Sequence, residues 1–387
     1  MKTFLSLLKR EFRMIFSNQV VMAIFFAAPI FYGVLFGFIY EKGQADDLPV
    51  MVVDLDNSPM SAKVLDAIND NTALEISDLR YSVANVDKDF KQDKFCALVT
   101  IPDGFEANLL MKRSPEINVD INTTNILTAN YSAKALQVVF GVINAGIEIE
   151  ALKKKGNTPQ FAMDDFQPFS VNYTRFYNES GNYMTFLWPG MVGTIIQQVF
   201  LLAVALAFAR EFEKRTIIHI LKHKYSALQM IGLKALPFVI LGTGVWLVVA
   251  IMYPIFKIPF SGTFIDTFIP SVLFTLSLIF MGIMVSIVVP NQLKATEILM
   301  IIAAPSFVLS GYTWPLYLMP KAISAVASVI PLTHYLEIFR RVAFMGGTMS
   351  DATIHIYSLI VITIVCFILS WIFLTAKLKL VKRSRKK

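Results

Sequence analysis

Charge is scarce in this chain: Asp, Glu, Lys and Arg make up 16% of its 387 residues, where soluble domains carry about 25%. That shortage excludes an ordinary water-soluble domain, and 55% hydrophobic residues with a mean hydropathy of +0.58 make lipid part of the solvent. Cysteine is scarcer still. Cys96 falls in a polar stretch and Cys366 in an apolar run, so neither a disulfide nor a cysteine metal site is expected. No G-x-x-x-x-G-K-[S/T] run occurs, so the backbone cradle that holds ATP phosphates is missing. Any use of ATP and Mg falls to a partner chain, and no cofactor or metal is expected here.

The four histidines are His219, His223, His334 and His355. His219 and His223 stand at an i, i+4 spacing that suits a metal, but Lys222 precedes His223 where H-E-x-x-H needs glutamate, so a basic loop is the better reading. No Ser-His-Asp set or paired-carboxylate site stands out. Asp54 and Asp56 form an acidic pair at the end of an apolar strand, where the following Asn57, Ser58 and Pro59 make a turn the simpler explanation. A membrane enzyme is the weakest reading.

The net charge is +7, with a pI near 9.2. The basic residues flank apolar segments, so they report topology rather than nucleic-acid binding. Residues 1–17 place Phe4, Leu5, Leu8, Phe12, Ile15 and Phe16 along one helical stripe, with Lys2, Lys9, Arg10 and Arg13 mostly elsewhere. Such a helix lies on a membrane surface or docks on a partner. Residues 18–40 carry an apolar run of about 21 residues, long enough to cross a bilayer, with no signal-peptide cleavage site after it.

Residues 41–180 change composition abruptly: they are polar, mixed in charge and without an evident membrane-length apolar run. Strands are expected at 48–54, 74–80, 96–101 and 117–121, with helices after Pro59, near 87–92 and 104–112, a long helix over 128–155, and extended chain at 168–177. That alternation predicts an inserted α/β extracytoplasmic domain. Residues 181–387 hold five more apolar segments near 184–209, 229–254, 265–289, 296–312 and 354–375. The expected fold class is therefore an α-helical polytopic membrane protein with six transmembrane helices, a re-entrant hairpin over 313–334 after the fifth, and a basic tail at 376–387.

Six spans put both termini on one side. Lys9, Arg10 and Arg13, then Arg210, Lys214, Arg215, Lys222, Lys224 and Lys234, then Lys294 and the tail all fall on that side, which the positive-inside rule makes cytoplasmic. Charged residues inside the spans are few, with Glu297 the main candidate, which argues against an ion-coupled carrier.

Three stretches carry a family resemblance. Val53, Asp54, Leu55, Asp56, Asn57, Ser58 and Pro59 resemble a V-D-x-D-N-S-P strand and turn. Arg210, Glu211, Phe212, Glu213, Lys214, Arg215 and Thr216 are similar to R-E-x-E-R-G-T, with Arg215 where the family usually has Gly. Ser310, Gly311 and Pro315, then Met319 and Pro320, then Pro331, Leu332, Thr333 and His334, then Arg340, resemble S-G-x-x-x-P, M-P, P-L-T-H and R. Together they resemble the ABC-2 type permeases of ABC transporters, the multidrug or small-molecule exporter subfamily with a large domain between its first two spans.

The resemblance implies a bacterial inner-membrane exporter subunit that dimerises with itself or a paralogue, contacts membrane lipid and works with separate ABC ATPase subunits. A periplasmic adaptor and an outer-membrane channel are implied as further partners, and nucleic acid is not. By analogy Phe4, Leu8, Glu11, Phe12, Glu211, Glu213 and Thr216 couple to the ATPase, while Ser310, Gly311, Tyr312, Trp314, Pro315 and Pro320 form an exit gate. The cargo expected from a path rich in Phe, Leu, Ile and Met is an amphiphilic small molecule or lipid. The alternative is a membrane-embedded sensor or assembly scaffold that binds a ligand or protein through residues 41–180.

Overall fold

The structure is a computed structural model that describes residues 2–84, 86, 95–154, 174, 176–221 and 225–384. The chain divides into two units, Met1–Gly43 with Arg175–Lys387, and Gln44–Thr174. The expected helix at 87–92, most of the extended stretch at 168–177, His223, Lys222, Lys224 and the last three tail residues lie outside the described residues.

In Gln44–Thr174 the organising element is β1 (Leu48–Asp54), whose Val50, Met51, Val52 and Val53 have no exposed surface at all. Burial of both faces follows from a near-continuous apolar run, which has no polar side to turn to water. The sheet order is β2-β1-β3-β4, with β2 (Leu74–Arg80) and β3 (Ala97–Ile101) parallel to β1, and β4 (Asn118–Ile121) antiparallel to β3. Val50 and Val52 pack with Val64, Ile68, Leu136 and Val139, while Met51 and Val53 pack on the other face with Val86 and Leu98.

Among the described residues three helices serve this sheet. To keep chain order, α1 is Lys2–Phe16 and α2 runs through Gln19–Met22, a π-helical Ala23–Ala27 and Ala28–Ile39, both in the other unit; the sheet's helices are α3 (Pro59–Asn69), α4 (Phe105–Leu110) and α5 (Ile126–Lys154). Ser58 starts α3 through a reciprocal cap with Ser61, and Pro59 occupies the first turn, where a missing N–H does no harm. Asp54 accepts hydrogen bonds from the backbone N–H of Asp56 and Asn57 and from Ser61 Oγ at 2.7 Å. Asp56 accepts the backbone N–H of Glu106 at 2.9 Å, tying the strand end to the start of α4. The acidic pair thus builds a turn, as the local sequence suggests.

The other unit is a helical bundle around α6 (Tyr183–Glu213), α8 (Ala227–Ile255), α9 (Phe264–Val288), α10 (Gln292–Ala303), the single turn α11 (Ser306–Leu309) and α14 (Thr353–Ser384). Short helices complete it: α7 (Ile217–Leu221), α12 (Lys321–Ala327) and α13 (Pro331–Phe339). Asn182, Ser226, Thr263 and Asn291 each cap the helix they precede by accepting a backbone N–H, which fixes where the long helices begin. Trp188, Phe200, Phe208 and Phe274 are fully buried at the centre, and Trp188 Nε1 donates to the Gly33 carbonyl of α2 at 2.8 Å.

Six helices among the described residues are long and apolar enough to cross a membrane, and they are not quite the six expected. Tyr183–Glu213, Ala227–Ile255, Phe264–Val288, Gln292–Leu309 and Met349–Val381 correspond to the second to sixth expected spans. The sixth is Ile126–Lys153, so the reading of 41–180 as lacking any membrane-length apolar helix is corrected. Its few charges are spaced widely enough to leave an apolar window, yet Leu136 and Val139 are spent on the core of the sheet. The expected first span contributes a shorter apolar helix, Ala23–Ile39. After α11, the helices Lys321–Ala327 and Pro331–Phe344 are bent against each other by 84°.

Candidate functional site

At the end of α6 the sequence places two carboxylates, Glu211 and Glu213, and the structure separates their environments. Glu211 is 1% exposed and Glu11 of α1 is 4% exposed. Between them sits Lys234, on the second turn of α8 and itself 3% exposed. Its Nζ donates to Glu11 Oε2 at 2.7 Å and to Glu211 Oε1 at 2.9 Å. Arg10 adds a bond to Glu211 Oε1 at 2.8 Å, and Thr216 Oγ1 donates to Glu211 Oε2 in a short hydrogen bond.

Two carboxylates face two cations, so the cluster is close to neutral, and nearly every oxygen has a donor, as burial of charge requires. Burial still raises the Glu11 carboxyl above its ordinary pKa, with Lys234 and Arg10 pulling it back down. The cavity beside the cluster, lined by Met14, Asn18, Arg210 and Phe238 among others, is about 40 Å³. That is room for a water molecule; a nucleotide is far larger. The cluster links three elements, α1, the end of α6 and α8.

The remaining residues expected to couple lie on α1 and at or just after the end of α6. Phe12 is half-buried against the apolar core, and Phe4 and Leu8 are half-buried on the same helix. Glu213 is exposed and accepts the backbone N–H of Gln292 at 3.0 Å and its Nε2 at 2.8 Å, which ties the end of α6 to the start of α10. Arg215 has φ of 55°, so the backbone keeps the left-handed turn that suits glycine even with a long side chain there.

Sequence reasoning missed Lys234 and Arg10, which it used only as markers of sidedness. The available signal was a lysine inside the apolar run of α8, a position that demands a counter-charge. Glu297, expected to be the main charge within the spans, lies in the candidate span Gln292–Leu309 and is exposed on α10.

The expected gate residues fall into two groups. Ser310, Gly311 and Tyr312 are buried in a tight turn after α11. Ser310 Oγ donates to the Phe307 carbonyl at 2.6 Å, and Gly311 has φ of 82°, a left-handed position where a side chain would also collide with Leu316. Tyr312 reaches α6: its hydroxyl donates to the Phe186 carbonyl at 2.6 Å, its ring stacks on Phe186 at 5.4 Å, and Gly190 leaves the space for it. Trp314 is 56% exposed, and Pro315 and Pro320 stand immediately before a 3-10 turn (Leu316–Leu318) and α12. The motif histidine, His334, pairs Nδ1 to Nδ1 with His355 of α14 at 3.1 Å, while its Nε2 donates to the Ser328 carbonyl at 2.7 Å.

The family described as "ABC-2 family transporter protein" matches residues 20–372. The chain is similar to the probable multidrug ABC transporter permease YbhR of Escherichia coli K12, 22% identical over 92% of this chain and 94% of that protein. It is 26% identical to the probable multidrug ABC transporter permease YbhS of the same organism, spanning 54% of this chain and only 56% of that relative's length. The inner membrane transport permease YhhJ is 20% identical over 79% of each chain.

Proposed function

The chain belongs to the ABC-2 family of transporter proteins, and from that premise we propose that it is the membrane-spanning permease subunit of an ATP-binding-cassette exporter. In this reading it moves an amphiphilic small molecule or lipid out of the cytoplasm or inner membrane, and a separate ABC ATPase supplies the hydrolysis. The relatives named as multidrug permeases support the class of cargo. The observation that carries the reading is the joint at Lys234, which holds Glu11 and Glu211 at 2.7 and 2.9 Å.

An ATPase closing against α1 needs a stiff link into the bundle, because a force applied to a loose helix dissipates in its own motion. Lys234 makes α1 rigid with both α6 and α8. A push on α1 or on the turn at Arg215 is then transmitted to two spans at once, shifting a two-state permease between arrangements. Glu213 extends the link to α10.

The same reading assigns the spans to α2, α6, α8, α9, the α10–α11 pair and α14, with both termini in the cytoplasm and residues 41–180 outside. The helices α12 and α13 are too short to cross on their own, and their 84° bend fits a re-entrant hairpin. Tyr312 then latches that hairpin to α6, and the exposed Trp314 lies at the outer exit. A second permease copy or paralogue completes the path, and an adaptor and outer-membrane channel extend it through residues 41–180.

Co-purification from membranes tests this. The chain should bring down a Walker-motif ATPase whose turnover falls at least tenfold with Glu211→Gln or Lys234→Met. A scaffold that keeps the permease fold would bring down other proteins and show no dependence on ATP.

A further inference from the structure

A second feature of the bundle lies far from the charged joint. Along α8, Ala250 is 16 residues beyond Lys234, about 24 Å at 1.5 Å per residue. There α8, the start of α9 and α13 enclose a cleft of about 480 Å³, within the roughly 300–1,000 Å³ typical of small-molecule sites. Seven of its 14 lining residues are aromatic. They are held in place by contacts of their own: Trp246 packs on Tyr335 at 5.4 Å and donates Nε1 to Thr275 Oγ1 at 2.9 Å, and Tyr253 meets Phe339 at 6.0 Å. Phe264 and Phe268 stack at 5.4 Å on the opposite wall.

The polar groups of the cleft are few and specific. No Asp, Glu, Lys, Arg or His is among its lining residues, so a fully charged ligand would lose its hydration without an ionic partner. Thr267 Oγ1 donates to the Thr263 carbonyl at 3.1 Å and Ser271 Oγ to the Thr267 carbonyl at 2.9 Å. Both hydroxyl hydrogens are thereby engaged; the Tyr335 hydroxyl lies 3.5 Å from Ser271 Oγ, the Tyr253 hydroxyl also lines the cleft, and the Thr267 and Ser271 oxygens keep lone pairs. On the wall formed by Thr267 and Ser271 the cleft can accept from a hydrogen-bond donor.

We infer that the cleft between α8, α9 and α13 binds a flat, lipophilic aromatic molecule that carries an uncharged hydrogen-bond donor, such as an aromatic amine or phenol. Its rings lie between the Trp246–Tyr335 and Phe264–Phe268 walls, where offset or edge contacts add attraction beyond burial. Its donor meets Ser271 or Thr267. Ala250, Leu247, Phe260 and Phe264 at the rim are exposed on the flank of the bundle, so entry is lateral, from the side that faces lipid in the permease reading. The role of this site in transport rests on that reading, whereas binding itself does not.

The test uses the full chain in phospholipid nanodiscs, with N-phenyl-1-naphthylamine, a lipophilic aromatic amine with one N–H, as the fluorescent probe. Saturable fluorescence above that of empty nanodiscs is expected. Ala250→Phe, at an exposed rim position where the larger side chain fills the cleft without crowding the core, should weaken the probe at least tenfold. Phe264→Ala should weaken it severalfold, and Ile240→Phe, on the exposed face of the same helix outside the cleft, should leave it unchanged. Equal affinity in Ala250→Phe and Ile240→Phe, or a signal that rises with lipid as empty nanodiscs do, overturns the inference. Because no ATPase is present, saturable binding lost in Ala250→Phe would stand even if the chain failed to recruit an ATPase, and ATPase coupling would stand if the probe ignored the cleft.

Discussion

Lys234 Nζ lies 2.7 Å from Glu11 Oε2, a contact between side chains 223 residues apart in sequence. It fastens an amphipathic N-terminal helix to the interior of a membrane bundle, at a point where the same ammonium also holds Glu211. The two acids and the cation are each almost free of solvent contact, so none of them is there for solubility.

Lys234→Met removes the central cation and leaves two carboxylates facing each other in a dry site. Breaking a buried pair from one side costs about 3–5 kcal/mol. A large fall in melting temperature is expected in detergent, with Arg10 too exposed to replace the lost charge fully. Lys234→Met combined with Glu11→Gln and Glu211→Gln, which removes both stranded charges, should recover much of the loss. A triple variant no more stable than Lys234→Met alone would show that packing, not charge pairing, dominates the joint.

At Arg215 the backbone has φ of 55°, a conformation that costs a residue with a Cβ about 1–2 kcal/mol. Arg215→Gly should therefore match or exceed the parent in melting temperature, the relief being partly offset by the greater freedom of glycine in the unfolded chain. Arg215→Val, branched at Cβ, should fall below both. Thermal melts of the three chains decide it, and parity of valine with glycine would remove the strain argument.

These two sites mark the limit of what the sequence discloses. The strands at 48–54 and 74–80 are legible because alternation, β-branched residues and the Asn57–Ser58–Pro59 turn are local signals, and β1 and β2 have those bounds. The long spans are legible for the same reason. Lys234 signals at most a need for a counter-charge; its partners are not legible, because the sequence pattern is the same whether the ammonium reaches water or a buried carboxylate from another helix. Tyr312 and Trp314 are equally aromatic in sequence, and only the gap at Gly190 decides that the tyrosine is the buried one. The membrane-length apolar window of Ile126–Lys153 is hidden in the sequence by its widely spaced charges, and its composition does not separate packing on a sheet from packing in lipid, which ask for the same residues.

Tyr312→Phe keeps the ring on Phe186 and deletes the hydroxyl that donates to the Phe186 carbonyl. A modest loss of about 0.5–1.5 kcal/mol is expected for one hydrogen bond. Gly190→Ala should cost more, about 1–3 kcal/mol, because the added Cβ would lie 2.6 Å from Tyr312 Cε1. In the permease reading both loosen the latch between the hairpin and α6. Cysteine labelling at residue 314 should then become faster in both variants, and unchanged labelling would separate this contact from gating.

Asp56 supplies the acid-side prediction for residues 44–174. Partial burial acts to raise its carboxyl pKa, but the side-chain hydrogen bond with Ser58 and the backbone N–H groups of Glu106, Phe105 and Gly104 outweigh it, and the net shift is downward from 3.8. A carboxyl that is more acidic when folded binds fewer protons there than in the unfolded chain, so stability rises with pH across the interval between the two values. Its contribution is present above pH 3.8 and disappears as the pH falls through the lower, folded value. Amide hydrogen exchange at Glu106, which donates to Asp56, should show increased opening on acidification from pH 5 to pH 3, after correction for the intrinsic exchange rate. Asp56→Asn keeps an acceptor oxygen and loses the titration, so its opening should be less sensitive to pH over that interval. Parallel pH profiles in the two chains would assign acid sensitivity to other carboxylates and leave Asp56 with a purely geometric role at the head of α4.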